Sequence, residues 1–272
     1  MSAWLDAPLG TISIADLGLE RDRREAALHA PLRPALFVDK DGTLVEPPDP
    51  DDPPALAADP ARLRFVPGAG ESLARLRQAG LALVIVTNES GLARGAFTRV
   101  QFAQLQAALV KRLRDEFDVI VDDVAVCPHA PDAQGRPACL CRKPAPGMLL
   151  RTARAHRLDL ARSWMVGDTL DDVEAGHRAG TAGWLLDTGA ETLWRRSPLR
   201  EPDAVFSDWP SLTDQLLAAH AAACAVTTTT LPAAVDAVPP DALDEVPGAG
   251  SPDEPIASSP PPTPLNGAPA PV

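Results

Sequence analysis

The chain has 272 residues, 45% of them hydrophobic, enough for one α/β domain with a sizeable core. Its formal net charge of −12 is unevenly spread: residues 201–272 carry ten acids and no Lys or Arg, which leaves residues 1–200 near −2. There is no basic stripe for nucleic acid, no window of roughly 18 apolar residues to span a membrane and no visible secretory signal, so a soluble, cytoplasmic, monomeric protein acting on a small molecule is expected.

Residues 1–33 read as an N-terminal extension in which 20–30 could form a charged helix. The apolar run Ala35-Leu36-Phe37-Val38 then reads as a strand, and it ends in Asp39-Lys40-Asp41-Gly42-Thr43. Residues 46–60 are crowded with Pro and Asp, which predicts a solvated loop. A helix opens at Pro67-Gly68 and stops at Gly80. The continuous apolar run 81–86 predicts a strand buried on both faces, followed by Thr87-Asn88-Glu89. A second helix over 98–117 places Phe102, Leu105, Leu109 and Leu113 on one face. Strands are predicted at 119–126, 164–168, 181–186 and 204–206, and helices at 146–156 and 171–179.

Strands that alternate with helices predict an α/β fold, a doubly wound parallel sheet. Ligands in such folds bind at the carboxyl ends of the strands, where Asp39, Thr87 and Asp168 all stand. The intervals from Asp41 to Thr87 and from Thr87 to Lys143 are too short for a large cap domain. After residue 224 the composition changes: 232–272 hold twelve Pro, no Lys or Arg and no aromatic residue. The domain is therefore placed at 34–224, and 225–272 are expected to be a disordered, acidic Pro/Ala-rich tail.

Residues i and i+2 of a strand point the same way, so Asp39 and Asp41 can address one point in space. Asp39 is placed to attack as a carboxylate nucleophile. Asp41 can give a proton to a leaving group and later take one from water. A third acid, Asp168, ends another strand, and three acids at one point need a cation; hard oxygen ligands suit Mg²⁺. Asp171 and Asp172 read as first-turn acids of the helix that follows. The polar groups of Thr87 and Asn88 can bind phosphate oxygens, and Lys143 can offset phosphate charge.

Cys127-Pro128-His129 and Cys139-Leu140-Cys141 supply three thiolates and one imidazole, a tetrahedral Zn²⁺ set. Disulfides are the alternative; a cytosolic setting and the geometry of Cys-x-Cys disfavour them. The zinc loop would present Arg142 and Lys143. Cys224 reads as incidental, and His156 and His177 as surface residues.

In this order, the Asp-x-Asp-Gly-Thr motif, Thr87, Lys143 and the Gly167-Asp168-x-x-x-Asp172 pattern resemble the four motifs of the haloacid dehalogenase-like phosphohydrolases. Thr87-Asn88-Glu89-Ser90-Gly91-Leu92-Ala93-Arg94-Gly95, the zinc loop and Cys141-Arg142-Lys143-Pro144 look like the heptose bisphosphate phosphatase and histidinol-phosphatase branch. The resemblance covers about residues 34–190. It implies a Rossmann-like haloacid dehalogenase fold and a phosphoaspartate formed on Asp39, with Asp41 as general acid/base. Thr87 and Lys143 would bind phosphate; Asp39, Asp168 and the Asp41 backbone carbonyl would hold Mg²⁺; Asn88, Ser90, Arg94 and Arg142 would line the substrate side. The implied substrate is a small phosphorylated metabolite. The Leu92-Ala93-Arg94-Gly95 run resembles heptose 1,7-bisphosphate 7-phosphatases, whereas Leu44-Val45-Glu46-Pro47-Pro48 after Asp41 resembles histidinol-phosphate phosphatases. A non-catalytic scaffold that uses the Pro-rich tail is the remaining reading. Two positions depart from the branch pattern: Lys40 stands where Arg is usual, and Glu89, an added negative charge near an anionic substrate, stands where Gln is usual.

Overall fold

The computed structural model describes residues 31–49, 51, 53–192 and 194–229. The expected helix at 20–30 and the tail from 230 onward lie outside the described residues. Six strands form one sheet: β1 (Ala35–Asp39), β2 (Ala82–Asn88), β3 (Asp123–Cys127), β4 (Trp164–Gly167), β5 (Ala182–Leu186) and β6 (Ala204–Phe206). Every pairing is parallel, in the order β3-β2-β1-β4-β5-β6. The chain winds outward through β2 and β3, then returns to build β4 on the other side of β1. The crevice above the carboxyl end of β1 is therefore the switch point where a doubly wound sheet takes its ligand.

Among the described residues the α-helices are α1 (Ala69–Gln78), α2 (Ser90–Ala93), α3 (Arg99–Phe117), α4 (Gly147–His156), α5 (Leu170–Ala179) and α6 (Trp209–Thr229). The strand period of two splits β1 between two cores. Leu36 and Val38 pack with Leu73, Leu76, Leu109 and Leu113 of α1 and α3 and with Trp209, Leu212 and Leu216 of α6. Ala35 and Phe37 pack on the opposite face with Met148, Leu149 and Ala153 of α4 and with Ala175 and Ala179 of α5. All five β1 residues are buried, which is why the run is apolar without alternation.

Three elements differ from the sequence reading. The third strand begins at Asp123 rather than 119. Asp118 leaves α3 in the left-handed region at φ 56°, and Val119 N–H still bonds back to Leu113 O, so residues 119–122 are spent on leaving the helix. The Pro/Asp loop holds two 3₁₀ turns, Pro54–Ala58 and Pro60–Arg62, each with Pro where a helix start tolerates it. The last helix, α6, has no counterpart among the predicted elements. Its start is fixed by Asp208, whose Oδ1 accepts from Ser211 N–H at 2.8 Å, and it continues through Thr229, past the boundary placed at 224.

Between Asp41 and Thr87 the described residues hold those 3₁₀ turns, α1 and the first part of β2, so among the described residues no large cap is inserted there. Among the described residues no helix is long and apolar enough to cross a membrane.

Candidate active site

Asp39 closes β1, Thr87 lies near the end of β2, and Asp168 follows β4. The register sets Asp39 beside Val86 and Val38 beside Val166, which brings the three strand ends level. They line one open cavity of about 250 Å³ with Asp41, Asn88, Lys143 and Asp172.

Lys143 is the cation at its centre and is buried. Its Nζ lies 2.5 Å from Asp39 Oδ1 and 2.6 Å from Asp172 Oδ1, and it donates to Val86 O at 2.9 Å. Asn88 fixes the Lys143 backbone: its Nδ2 donates to Lys143 O at 3.1 Å and its Oδ1 accepts from Lys143 N–H at 3.0 Å. The Asn88 amide expected to bind substrate thus orients the lysine from the cavity wall.

Carboxylate oxygens of Asp39, Asp168 and Asp172 lie within 4.8 Å of one another. Burial, opposed by Lys143 and reinforced by Asp172 and Asp168, pushes the Asp39 pKa up to about 8. Burial and then Asp172 raise Asp168 to about 6. Burial alone would lower Lys143, but Asp172 and Asp39 more than reverse it, so the ammonium stays charged. Three acids against one lysine leave an excess of negative charge, and their hard oxygen donors fit Mg²⁺. Asp172 is the residue that sequence reasoning missed. It serves α5 as expected, accepting at Oδ2 from Thr169 N–H (3.2 Å) and Thr169 Oγ1–H (2.6 Å), while its other oxygen faces Lys143. Its place at the end of the Gly167-Asp168-x-x-x-Asp172 pattern was the available signal.

Asp41 is one-third exposed at 33%. The turn that carries it is drawn tight by Leu44 N–H and Val45 N–H, both donating to Lys40 O. Gly42 has φ +84°, and a Cβ there would stand 1.9 Å from Asp168 Oδ2, so only Gly lets the turn pass this close to the third acid. Thr43 Oγ1 donates to Asp168 Oδ1 at 3.4 Å, and the buried Trp209 of α6 donates its indole N–H to Thr43 O at 2.8 Å.

Glu89 does not confront the cavity as a bare charge. Its Oε2 accepts from Lys40 Nζ at 2.8 Å, so the two departures from the branch pattern form one ion pair.

The second cluster is complete. Cys127 Sγ, His129 Nδ1, Cys139 Sγ and Cys141 Sγ lie within 4.8 Å of one another, with neighbouring donors 3.2–3.6 Å apart, and none of the cysteines is in a disulfide. Such spacing matches the edges of a tetrahedron with metal–ligand bonds of about 2.0–2.3 Å, which fits Zn²⁺. Burial works to raise Cys139, but hydrogen bonds beginning with that from Arg142 N–H bring it down to about 7, toward the thiolate a metal needs. Arg142 Nη1 donates to His129 O at 3.2 Å, tying the arginine to the loop.

Ser90, in α2, the exposed Arg94 and the half-buried Arg142 do not line the 250 Å³ cavity. A larger cavity of about 350 Å³ adjoins it through Asp41 and runs between the Pro/Asp loop and Leu105 and Leu109 of α3. His177 is not a plain surface residue: its ring bridges Asp203 Oδ2 and Leu199 O, both at 2.9 Å, and is 16% exposed.

The HAD-hydrolase-like family model matches residues 140–212. The D-glycero-beta-D-manno-heptose-1,7-bisphosphate 7-phosphatase of Bordetella bronchiseptica is 36% identical over 184 residues, 67% of this chain and 97% of that protein. The chain belongs to the haloacid dehalogenase-like phosphatases. It is a phosphoric monoester hydrolase. The phosphatase is also 37% identical over 180 residues to the enzyme of the same name in Escherichia coli K12, covering 65% of this chain and 87% of that one. Its fold is similar to the crystal structure of D,D-heptose 1,7-bisphosphate phosphatase from B. bronchiseptica complexed with magnesium and phosphate, with a TM-score of 0.57 at 34% identity over 68% of this phosphatase and 98% of that chain.

Proposed function

We propose that this phosphatase removes the 7-phosphate of D-glycero-D-manno-heptose 1,7-bisphosphate through a phosphoaspartate on Asp39. The observation that carries the reading is the convergence of Asp39, Lys143 and Asp168 in one cavity, with Asp41 at its rim. The curated relatives named for this substrate support it over histidinol phosphate.

An Asp39 carboxylate oxygen attacks phosphorus as the bond to the sugar oxygen breaks, and Asp41 gives that oxygen its proton. Asp41 then takes a proton from water as the water oxygen attacks phosphorus, which releases inorganic phosphate and restores Asp39. Lys143 offsets phosphoryl charge, and the Thr87 hydroxyl accepts a place among the phosphate ligands. Asp39, Asp168 and the backbone carbonyl of Asp41 would hold Mg²⁺, which supplies positive charge beside the transferring phosphoryl group. Cys127, His129, Cys139 and Cys141 would hold a structural Zn²⁺ that orders the loop bearing Arg142 and Lys143. Ser90, Arg94 and Arg142 lie outside the cavity that holds the reacting phosphate, which suits contacts to the far end of a bisphosphate.

Phosphate release from the heptose bisphosphate, histidinol phosphate and other sugar phosphates, each with Mg²⁺, tests the reading. The heptose bisphosphate should have the highest kcat/KM, and Asp39→Asn should abolish turnover with the fold intact. Preference for histidinol phosphate would overturn the substrate, and an active Asp39→Asn variant would overturn the nucleophile.

A further inference from the structure

One charged side chain in the site belongs to neither the phosphate set nor the metal set. Lys40 stands between the two aspartates in sequence, yet is only 3% exposed. Its Nζ lies 3.2 Å from Asp41 Oδ2 and 2.8 Å from Glu89 Oε2, and 5.5 Å from the centroid of the Phe102 ring. Its backbone carbonyl accepts the two hydrogen bonds that close the Asp41 turn. The Glu89 backbone is anchored in turn, with its N–H donating to Cys127 O at 2.7 Å.

A buried ammonium is costly unless paired, and this one is paired twice. With two carboxylates on it and almost no exposed surface, Lys40 is poorly placed to receive a phosphate. Its geometry serves Asp41 instead. A one-third exposed carboxylate beside an open cavity is free to rotate about its side-chain torsions unless something holds it. The Lys40 ammonium grips Oδ2, which leaves Oδ1 to meet the leaving-group oxygen.

We infer that Lys40, held in place by Glu89, is the positioning residue for Asp41. The inference rests on the reading of Asp41 as general acid/base. Glu89 fixes the ammonium through its own ion pair and supplies the counter-charge that lets it stay buried.

The test is the dependence of kcat/KM on leaving-group pKa across substituted phenyl phosphates, from 4-nitrophenyl phosphate to phenyl phosphate, in the full chain with Mg²⁺. A positioned acid matters little for a leaving group that needs no proton and much for one that does. Lys40→Met should lower phenyl phosphate hydrolysis by about tenfold or more while changing 4-nitrophenyl phosphate hydrolysis by less than about threefold, steepening the plot. A merely structural loss would lower both equally. Lys40→Arg should restore the shallow slope. Because Lys40→Met alone strands Glu89, the double variant Lys40→Met/Glu89→Gln removes the buried pair together, and its slope should remain steep. A wild-type slope in the double variant would mean that Lys40 only neutralises Glu89, and the inference fails. Asp41→Asn separates the two ideas. If it steepens the plot and Lys40→Met does not, Asp41 is the acid but Lys40 does not position it. If Asp41→Asn leaves the slope unchanged, the general-acid reading fails and takes this inference with it.

Discussion

Asp172 Oδ1 lies 2.6 Å from Lys143 Nζ, so the lysine beside Asp39 is shared between two carboxylates. Asp172 is itself held by Thr169 at the start of α5, so the lysine is positioned from the helix as well as from Asn88. Asp172→Asn preserves the shape and removes the charge. It should lower kcat/KM by about 10–100-fold, the usual cost of losing a group that orients a site residue. Steady-state kinetics beside a thermal melt would check it; activity within twofold of wild type would show that Asn88 suffices.

The buried acids make the metal-free protein pH-sensitive. Asp39, at about 8, and Asp168, at about 6, are both raised from 3.8, so the folded chain holds protons that the unfolded chain releases. Their contribution to stability is full below about pH 4 and is lost as pH rises through 6 and then 8. Mg²⁺ held by these acids would take the place of those protons, so its stabilisation should grow over the same window. Melting temperatures at pH 5.5, 7 and 8.5 with and without MgCl₂ should diverge as pH rises, and Asp168→Asn should reduce the divergence. Parallel curves would count against a shared metal on these acids.

The passage of the chain between Asp41 and Asp168 is the tightest in the site. In Gly42→Ala, the new Cβ would meet Asp168 Oδ2 at 1.9 Å, at a φ of +84° that Ala adopts poorly. Asp168 must move, and a displacement of about 1 Å can cost about 100-fold in rate. The variant should fold, with circular dichroism like wild type, while kcat falls by about that factor. Unimpaired turnover would remove Asp168 from the reaction.

Freshly purified protein should carry about one equivalent of zinc, bound by thiolates that a chelator competes for. Cys139→Ser, which breaks the set, should lose the metal and lower kcat/KM, because Lys143 follows Cys141 by two residues and Arg142 is tied to His129 O. Elemental analysis and kinetics on one sample decide it: a zinc-free variant at full activity would make the loop irrelevant to catalysis.

Much of the site was readable because parallel strands buried on both faces appear as unbroken apolar runs, and each such run ends in a polar residue at the switch point. Asp39, Thr87 and Asp168 follow from that alone. What escaped depends on contacts between distant segments. Asp172 satisfies the local expectation of a first-turn acid so well that nothing nearby announces its second partner, Lys143. Glu89 looked like a charge set against the substrate until the fold brought Lys40 to it across 49 residues. The helix α6 is rich in Ala, with a weak polar pattern, and only its packing of Trp209, Leu212 and Leu216 against the sheet gives it a face.

Trp209 also makes the phosphatase its own spectroscopic probe. Its indole is wholly buried and donates to the carbonyl of Thr43, two residues beyond Asp41. Any shift of that turn alters the polarity around the ring, and emission wavelength follows polarity. Trp164 and Trp184, edge to face with each other on β4 and β5, and the chain's other two tryptophans, Trp4 and Trp194, supply the rest of the emission. Subtracting the emission of Trp209→Phe from that of the wild type would leave a signal that follows occupancy in real time, without a label and without turnover.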